Sequence, residues 1–242
     1  MRSVGRSSGR SRVGLDMTYL ELSDLVVGYG GNAVCAPVNL TLGAGDIVAV
    51  IGANGTGKST LLRTVLGLQE PLSGQASAFG RLVDERERRF RARVAGVLDD
   101  DAFFPGVTVR EHLVLTARGH GVPDAGAVVD QVLDHVGITR HGGAMPHTLS
   151  SGQRRRFLLA SALVRPRDLL VLDEPEQRLD TAMRARLGET LRAEADAGTA
   201  VLFATHDDRL LAASGARAVH LSDDDAVLLE PAEAPGVLAG FR

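Results

Sequence analysis

Several residue types are scarce in this 242-residue chain, and each scarcity excludes something. There is no tryptophan, there are only two tyrosines, and aromatic residues make up 4% of the whole. The single cysteine, Cys35, cannot form an internal disulfide, which suits a reducing compartment and makes it read as a small apolar residue. Apolar stretches such as Leu169–Leu172, or Phe157–Val164 with its one serine, are far too short to span a bilayer. If the protein serves a membrane, another chain must cross it. A net charge of −3 argues against non-specific nucleic-acid binding as the main activity, and no nucleic-acid partner is expected. Lysine is nearly absent too: Lys58 is the only one, and every other fixed cation is an arginine.

That lysine stands in the stretch around which the rest of the chain is organised. Gly52-Ala53-Asn54-Gly55-Thr56-Gly57-Lys58-Ser59-Thr60 matches the phosphate-cradling pattern G-x-x-x-x-G-K-S/T at every position. Before it, Asp46–Ile51 is apolar and β-branched, as a buried strand is; after it, Leu61–Leu66 reads as a helix. Glycines 52, 55 and 57 let backbone N–H groups approach phosphate oxygens, and the helix start adds its positive end. Lys58 is then expected to reach the β- and γ-phosphates, and the Ser59 hydroxyl to serve Mg²⁺. A guanidinium would be a poor substitute for the compact ammonium there. The loop alone does not separate a transport motor from a kinase, a GTPase or a repair ATPase.

Content that is 44% apolar is ample for a core of one α/β domain or two small ones. Residues 1–16, with four arginines among serines and glycines, read as a disordered basic tail, and Met17 stands just before the first patterned strand, as if the tail were an upstream extension. Tyr19–Tyr29 and Val38–Leu42 alternate apolar and polar residues and read as an antiparallel layer beside the loop. Tyr29 is either an ordinary strand-end tyrosine or a platform for a base. Asp84–Arg93 reads as a solvated helix face, and Val94–Leu98 as a buried strand. Thr108, with Glu111 three positions on, caps the next helix. From about 99 to 165 the pattern is helical without a strand, an insertion in an α/β layout that resumes with strands at 169–172 and 199–204. The last residues, 233–242, read as a C-terminal tail.

Three further stretches carry chemistry. Leu149-Ser150-Ser151-Gly152-Gln153 starts a helix and offers a serine cap and exposed N–H groups, an anion site or simply a capped helix. Leu169–Leu172 delivers Asp173 and Glu174 at a strand's C-terminal end, where open α/β sheets bind ligands; Asp173 suits the Mg²⁺ shell and Glu174 the attacking water. A third strand ends in Thr205-His206, which favours a γ-phosphate contact for the histidine.

Taken in this order, Gly52–Thr60, Leu149–Gln153, Leu169–Glu174 and His206 resemble the nucleotide-binding subunit of ATP-binding-cassette (ABC) transporters, over about Tyr19–Glu230. The resemblance implies a RecA-like P-loop α/β core with an antiparallel β subdomain and an inserted α-helical subdomain within residues 17–232. It implies ATP and Mg²⁺, and two copies, identical or related, packed head to tail so that each ATP lies between Gly52–Thr60 of one and Ser150, Ser151, Gly152 and Gln153 of the other. It places Tyr29 against adenine, Asp180 at the crossing of the dimer interface, and Glu174, His206 and Lys58 in catalysis. It also implies a separate transmembrane permease and a position on the inner face of the cell membrane. Three departures stand out: Asp99 where a glutamine near the metal is usual, Ser151 for the first signature glycine, and Glu176-Gln177-Arg178 in place of small residues before Leu179-Asp180. Two other readings remain at this point, a soluble non-transport ABC ATPase acting on nucleic acid or the ribosome, and a small-molecule P-loop kinase.

Overall fold

A computed structural model describes residues 18–98 and 103–240. In chain order the strands and helices are β1 (Thr18–Val26), β2 (Gly28–Tyr29), β3 (Asn32–Ala33), β4 (Val38–Gly43), β5 (Ile47–Ile51), α1 (Lys58–Val65), β6 (Ser73–Ala78) and β7 (Arg81–Leu82). There follow α2 (Arg88–Arg93), β8 (Val94–Val97), α3 (Val109–Gly119), α4 (Ala125–His135), α5 (Ser151–Leu163) and β9 (Leu169–Asp173). The chain continues through α6 (Thr181–Asp196), β10 (Ala200–Ala204), α7 (Asp208–Ser214), β11 (Arg217–Leu221), β12 (Ala226–Leu229) and α8 (Ala234–Ala239).

The central sheet runs β12-β11-β5-β10-β9-β8, with only β12 antiparallel to its neighbour. Its middle strands are apolar throughout because both faces are covered, and alternate residues enter two separate cores. Ala49, Ile51, Leu170, Leu172, Val201 and Phe203 pack under α3–α6, while Val48, Val50, Leu169, Val171, Leu202 and Ala204 pack under α1 and the second sheet. That second sheet, β4-β1-β6-β7, is antiparallel and half-buried, as the alternation in Tyr19–Tyr29 and Val38–Leu42 requires. No strand lies between β8 and β9 among the described residues; α3, α4 and α5 fill that interval. The α3 start is a full capping box, Glu111 N–H donating to the Thr108 hydroxyl and Thr108 N–H to the Glu111 carboxylate.

Two expectations are corrected. Residues 234–239 are not a tail but a helix, because Ala234, Val237 and Leu238 recur at helical spacing and Ala234 and Leu238 are buried. The charged stretch 84–93 is helical only from Arg88, and Phe90 turns inward. The basic segment 1–16 and Asp99 lie outside the described residues.

Candidate active site

The Gly52–Thr60 loop joins β5 to α1, and its shape demands glycine where the backbone meets other chain segments. At Gly52, φ is +152° and an added Cβ would stand 2.5 Å from the Leu221 carbonyl oxygen. Lys58, buried in the first turn of α1, donates to the carbonyls of Gly52 at 2.9 Å and Ala53 at 2.8 Å. Burial pulls its pKa below the ordinary lysine value, while the charges of Glu174 and Asp173 act in the opposite sense. Ser59 is exposed at the same helix start. Asn54 and Gly55 form the exposed crest of the loop, with Gly57 as the residue before the helix. Tyr29 presents its ring to solvent, 58% exposed, and its hydroxyl accepts from Thr60 at 3.3 Å.

Parallel pairing in the order β5-β10-β9 brings the second and third groups to the same edge of the sheet. Asp173 is the last residue of β9 and is buried. Glu174 follows in the left-handed region, with φ +43°, a conformation that costs a non-glycine residue on the order of 1–3 kcal/mol and that clusters at functional sites. Its Oε1 lies 3.4 Å from His206 Nε2, just beyond the end of β10. Burial first, then the Lys58 charge, lowers the His206 pKa, with Asp173 opposing, so the imidazole is held toward its neutral form. Its Nε2 is buried and makes no hydrogen bond, an orphaned polar atom of the kind that a ligand oxygen satisfies. Lys58, Asp173, Glu174 and His206 thus form one electrostatic cluster.

Ser150–Gln153 lie elsewhere. They open α5, which belongs to the core on the opposite face of the sheet from α1. Ser150 and Gln153 form a reciprocal capping box at 3.3 and 3.0 Å, and Ser151 is exposed. A Cβ on Gly152 would meet the Arg178 carbonyl oxygen at 2.7 Å, so the glycine lets α5 sit against the loop before α6. Asp180 caps α6 by accepting from Met183 N–H at 2.8 Å and is bonded to Arg156 of α5; these contacts hold its carboxyl below the usual range.

The chain matches the ABC transporter family model over residues 35–177, more than half its length. It belongs to the ABC transporter ATP-binding family. The chain is 37% identical to the Nod factor export ATP-binding protein I of Burkholderia lata over 74% of this chain and 59% of that one. It is 34% identical to an ABC transporter ATP-binding protein of Streptomyces coelicolor over 89% of this chain and 90% of that one. A solved structure of the ATP-binding subunit of an ABC transporter superposes with a TM-score of 0.80 at 27% identity, covering 92% of this chain and 95% of the other. The chain has the RecA-like core and helical insertion of that family.

Three residues to which sequence reasoning gave no role in the site bond to the strand ends that carry it. Arg155, buried within the run Arg154-Arg155-Arg156, donates to the carbonyls of Asp173, of Glu174 at 2.7 Å and of Leu98 at 3.3 Å. Its signal was its spacing, since Arg155, Leu158, Leu159 and Ala162 recur at helical intervals and all are buried. Glu176 and Gln177, noted only as departures from the family pattern, bond to the ends of β10 and β9.

Proposed function

We propose that two copies of this chain, or one copy and a related cassette, close on ATP and reopen after hydrolysis, and that this cycle drives a separate transmembrane permease from the inner face of the membrane. The observation that carries the catalytic part is the convergence of Lys58, Asp173, Glu174 and His206 at one sheet edge, with an orphaned imidazole nitrogen facing the carboxylate. Glu174 takes the proton of the attacking water as the bond from the γ-phosphorus to the bridging oxygen breaks, and ADP and phosphate leave. His206, kept neutral, donates from Nε2 toward the γ-phosphate, while Lys58 and the loop N–H groups hold the β- and γ-phosphates. Tyr29, ring outward beside Thr60, stacks on the adenine.

Ser59 and Asp173 offer oxygen donors, and no group of three or more acidic, histidine or cysteine residues suited to a metal occurs among the described residues. The two oxygen donors fit Mg²⁺, which takes one or two protein oxygens and completes its shell with water and phosphate. Bound there, the ion would neutralise charge on the phosphates. Asp99 is assigned to the same metal by the resemblance alone.

Support for pairing comes from the placement of α1 and α5 on opposite faces of the sheet, which sets the α5 start with Ser150, Ser151, Gly152 and Gln153 on the other face from this chain's own α1. The permease reading is supported by a groove of about 880 Å³ between core and helical insertion, where Leu66, Phe90, Phe104 and Leu115 are flanked by Arg118 and Arg165. No helix among the described residues is long and apolar enough to cross a membrane.

Glu174→Gln tests the catalytic reading. It is expected to lower turnover by about 10²–10⁴-fold, the usual contribution of a general base, while ATP-dependent pairing persists in sedimentation. Unchanged hydrolysis removes Glu174 from its role. Ser151→Arg separately tests pairing: it should abolish ATP-dependent association and turnover but leave nucleotide binding to the monomer intact.

A further inference from the structure

Between Pro175 and Leu179 the chain carries Glu176-Gln177-Arg178. The turn is tight: Gln177 N–H donates to the Glu174 carbonyl at 3.0 Å and Leu179 N–H to the Glu176 carbonyl at 3.2 Å, and Arg178 has φ +62°. Two side chains from this turn reach toward two different strand ends. The Gln177 amide Nε2 donates to Glu174 Oε2, on the side of the carboxylate away from the Oε1 that faces His206. Glu176, only 5% exposed, accepts with Oε1 from the Thr205 hydroxyl at 2.5 Å and from His206 N–H at 3.2 Å. The Thr205 oxygen in turn accepts from Asp207 N–H at 3.0 Å, and Asp207 caps α7 through Arg209 N–H and Leu210 N–H.

We propose that Glu176 and Gln177 are positioning residues for ATP hydrolysis: adjacent in one turn, Gln177 orients the carboxylate of Glu174 while Glu176 fixes the backbone that carries His206. The inference rests on the reading of Glu174 as the base that accepts the proton of water. A carboxylate on a short chain can rotate about its terminal bonds; an uncharged amide on one oxygen stops that rotation without neutralising the base. Likewise, a buried acceptor on two consecutive donors of the β10 terminus sets the height of the imidazole relative to β9. Because the two clamps share one turn, the separation of base and histidine is determined locally, and misplacement of a reacting group by about 1 Å costs up to about 10²-fold in rate.

The test is steady-state hydrolysis by the full chain over a range of MgATP, with thermal unfolding of each variant measured alongside. Gln177→Ala is expected to lower kcat about tenfold with KM within about twofold of the parent, because nucleotide binding uses other groups. Glu176→Leu should lose more kcat than Glu176→Gln, whose amide oxygen still accepts from Thr205 and His206. In single-turnover measurements, adding Gln177→Ala to Glu174→Gln should cost nothing further, since there is no carboxylate left to orient. An unchanged kcat in Gln177→Ala overturns the proposal, as does a fall in kcat accompanied by a raised KM and a lowered melting temperature. If Gln177→Ala does not fold, Gln177→Asn, one methylene short, is measured with the same criteria. Wild-type turnover in Glu174→Gln sinks the base assignment itself, whereas an inactive Glu174→Gln beside a fully active Gln177→Ala sinks only the clamp.

Discussion

Replacing Arg155 by methionine separates what the buried guanidinium contributes from what its aliphatic stem contributes. The stem runs with Leu158, Leu159 and Ala162 on the buried side of α5, and methionine fills comparable space without a charge. The head group makes two close bonds, to the carbonyls of Asp173 and of Glu174 at 2.7 Å, and one longer bond to Leu98 at 3.3 Å. Charge-assisted bonds contribute about 1.5–3 kcal/mol each, so the two close ones total roughly 3–6 kcal/mol before desolvation is subtracted. Burying a guanidinium offsets part of that, and the Glu174 carbonyl keeps a second partner in Gln177 N–H at 3.0 Å. The net loss expected for Arg155→Met is about 2–4 kcal/mol, which at roughly 2–4 °C per kcal/mol for a domain of this size lowers the melting temperature by about 4–16 °C. Arg155→Lys should fall between, because one ammonium nitrogen cannot serve acceptors at the ends of both β8 and β9. Scanning calorimetry of the three proteins at equal scan rate gives the ordering, and turnover should fall with it, since the same carbonyls belong to Asp173 and Glu174. A methionine variant that melts within about 2 °C of the parent refutes the view that this arginine ties α5 to the catalytic strand end.

Other outcomes follow from single contacts. Gly152→Ala puts a methyl 2.7 Å from a backbone oxygen and should cost about 1–3 kcal/mol in urea unfolding, whereas Gly143→Ala, with nothing within 4 Å, should be near neutral; equal effects would contradict the packing of α5 on the loop before α6. Lys58→Ala should weaken ATP binding by more than about tenfold in a titration, the loss expected from removing one charge-assisted contact, and retained affinity would count against the loop assignment. Burial raises the pKa of Glu176 above the ordinary carboxyl value of 4.5, so above that pH the folded state holds a proton that the unfolded chain releases. Stability contributed by this group therefore declines as pH rises from 4.5 toward the raised value, and Glu176→Gln should gain on the parent across that window. Urea midpoints at about pH 5 and about pH 8 that change equally in both proteins would refute it.

The fold was legible wherever one physical pattern dominated. Fully apolar strands such as Leu169–Leu172 and Ala200–Ala204 have one solution, burial on both faces of a parallel sheet, and their polar ends then fall at one edge. The capped starts at Thr108 and Ser150 were readable from local side-chain chemistry. Helix α8 was missed because its two buried residues sit among proline, glycine and glutamate, and only packing against α7 and β11 makes that weak pattern a helix.

What sequence could not supply is the difference between a residue that does chemistry and one that holds it in place. Ser150 and Gln153 look like ligands in a motif, yet within the chain they first satisfy each other as a helix cap, and Asp180 first caps α6. The proposed contact with a second copy's nucleotide is compatible with those roles because a helix start leaves several N–H groups without an intrahelical acceptor. Conversely, Arg155, Glu176 and Gln177 look like surface charge or irregular loop. Each lies next in sequence to something recognisable, but its partner is a strand end contributed by a distant part of the chain: residue 155 to 173, 176 to 205. Periodicity and motif spacing register neighbours along one element, while these contacts arise only when β8, β9 and β10 are laid side by side and their C-terminal ends meet the start of α5. Glu176 and Gln177, two of the departures from the family pattern, thus take their place in the fold from tertiary contact.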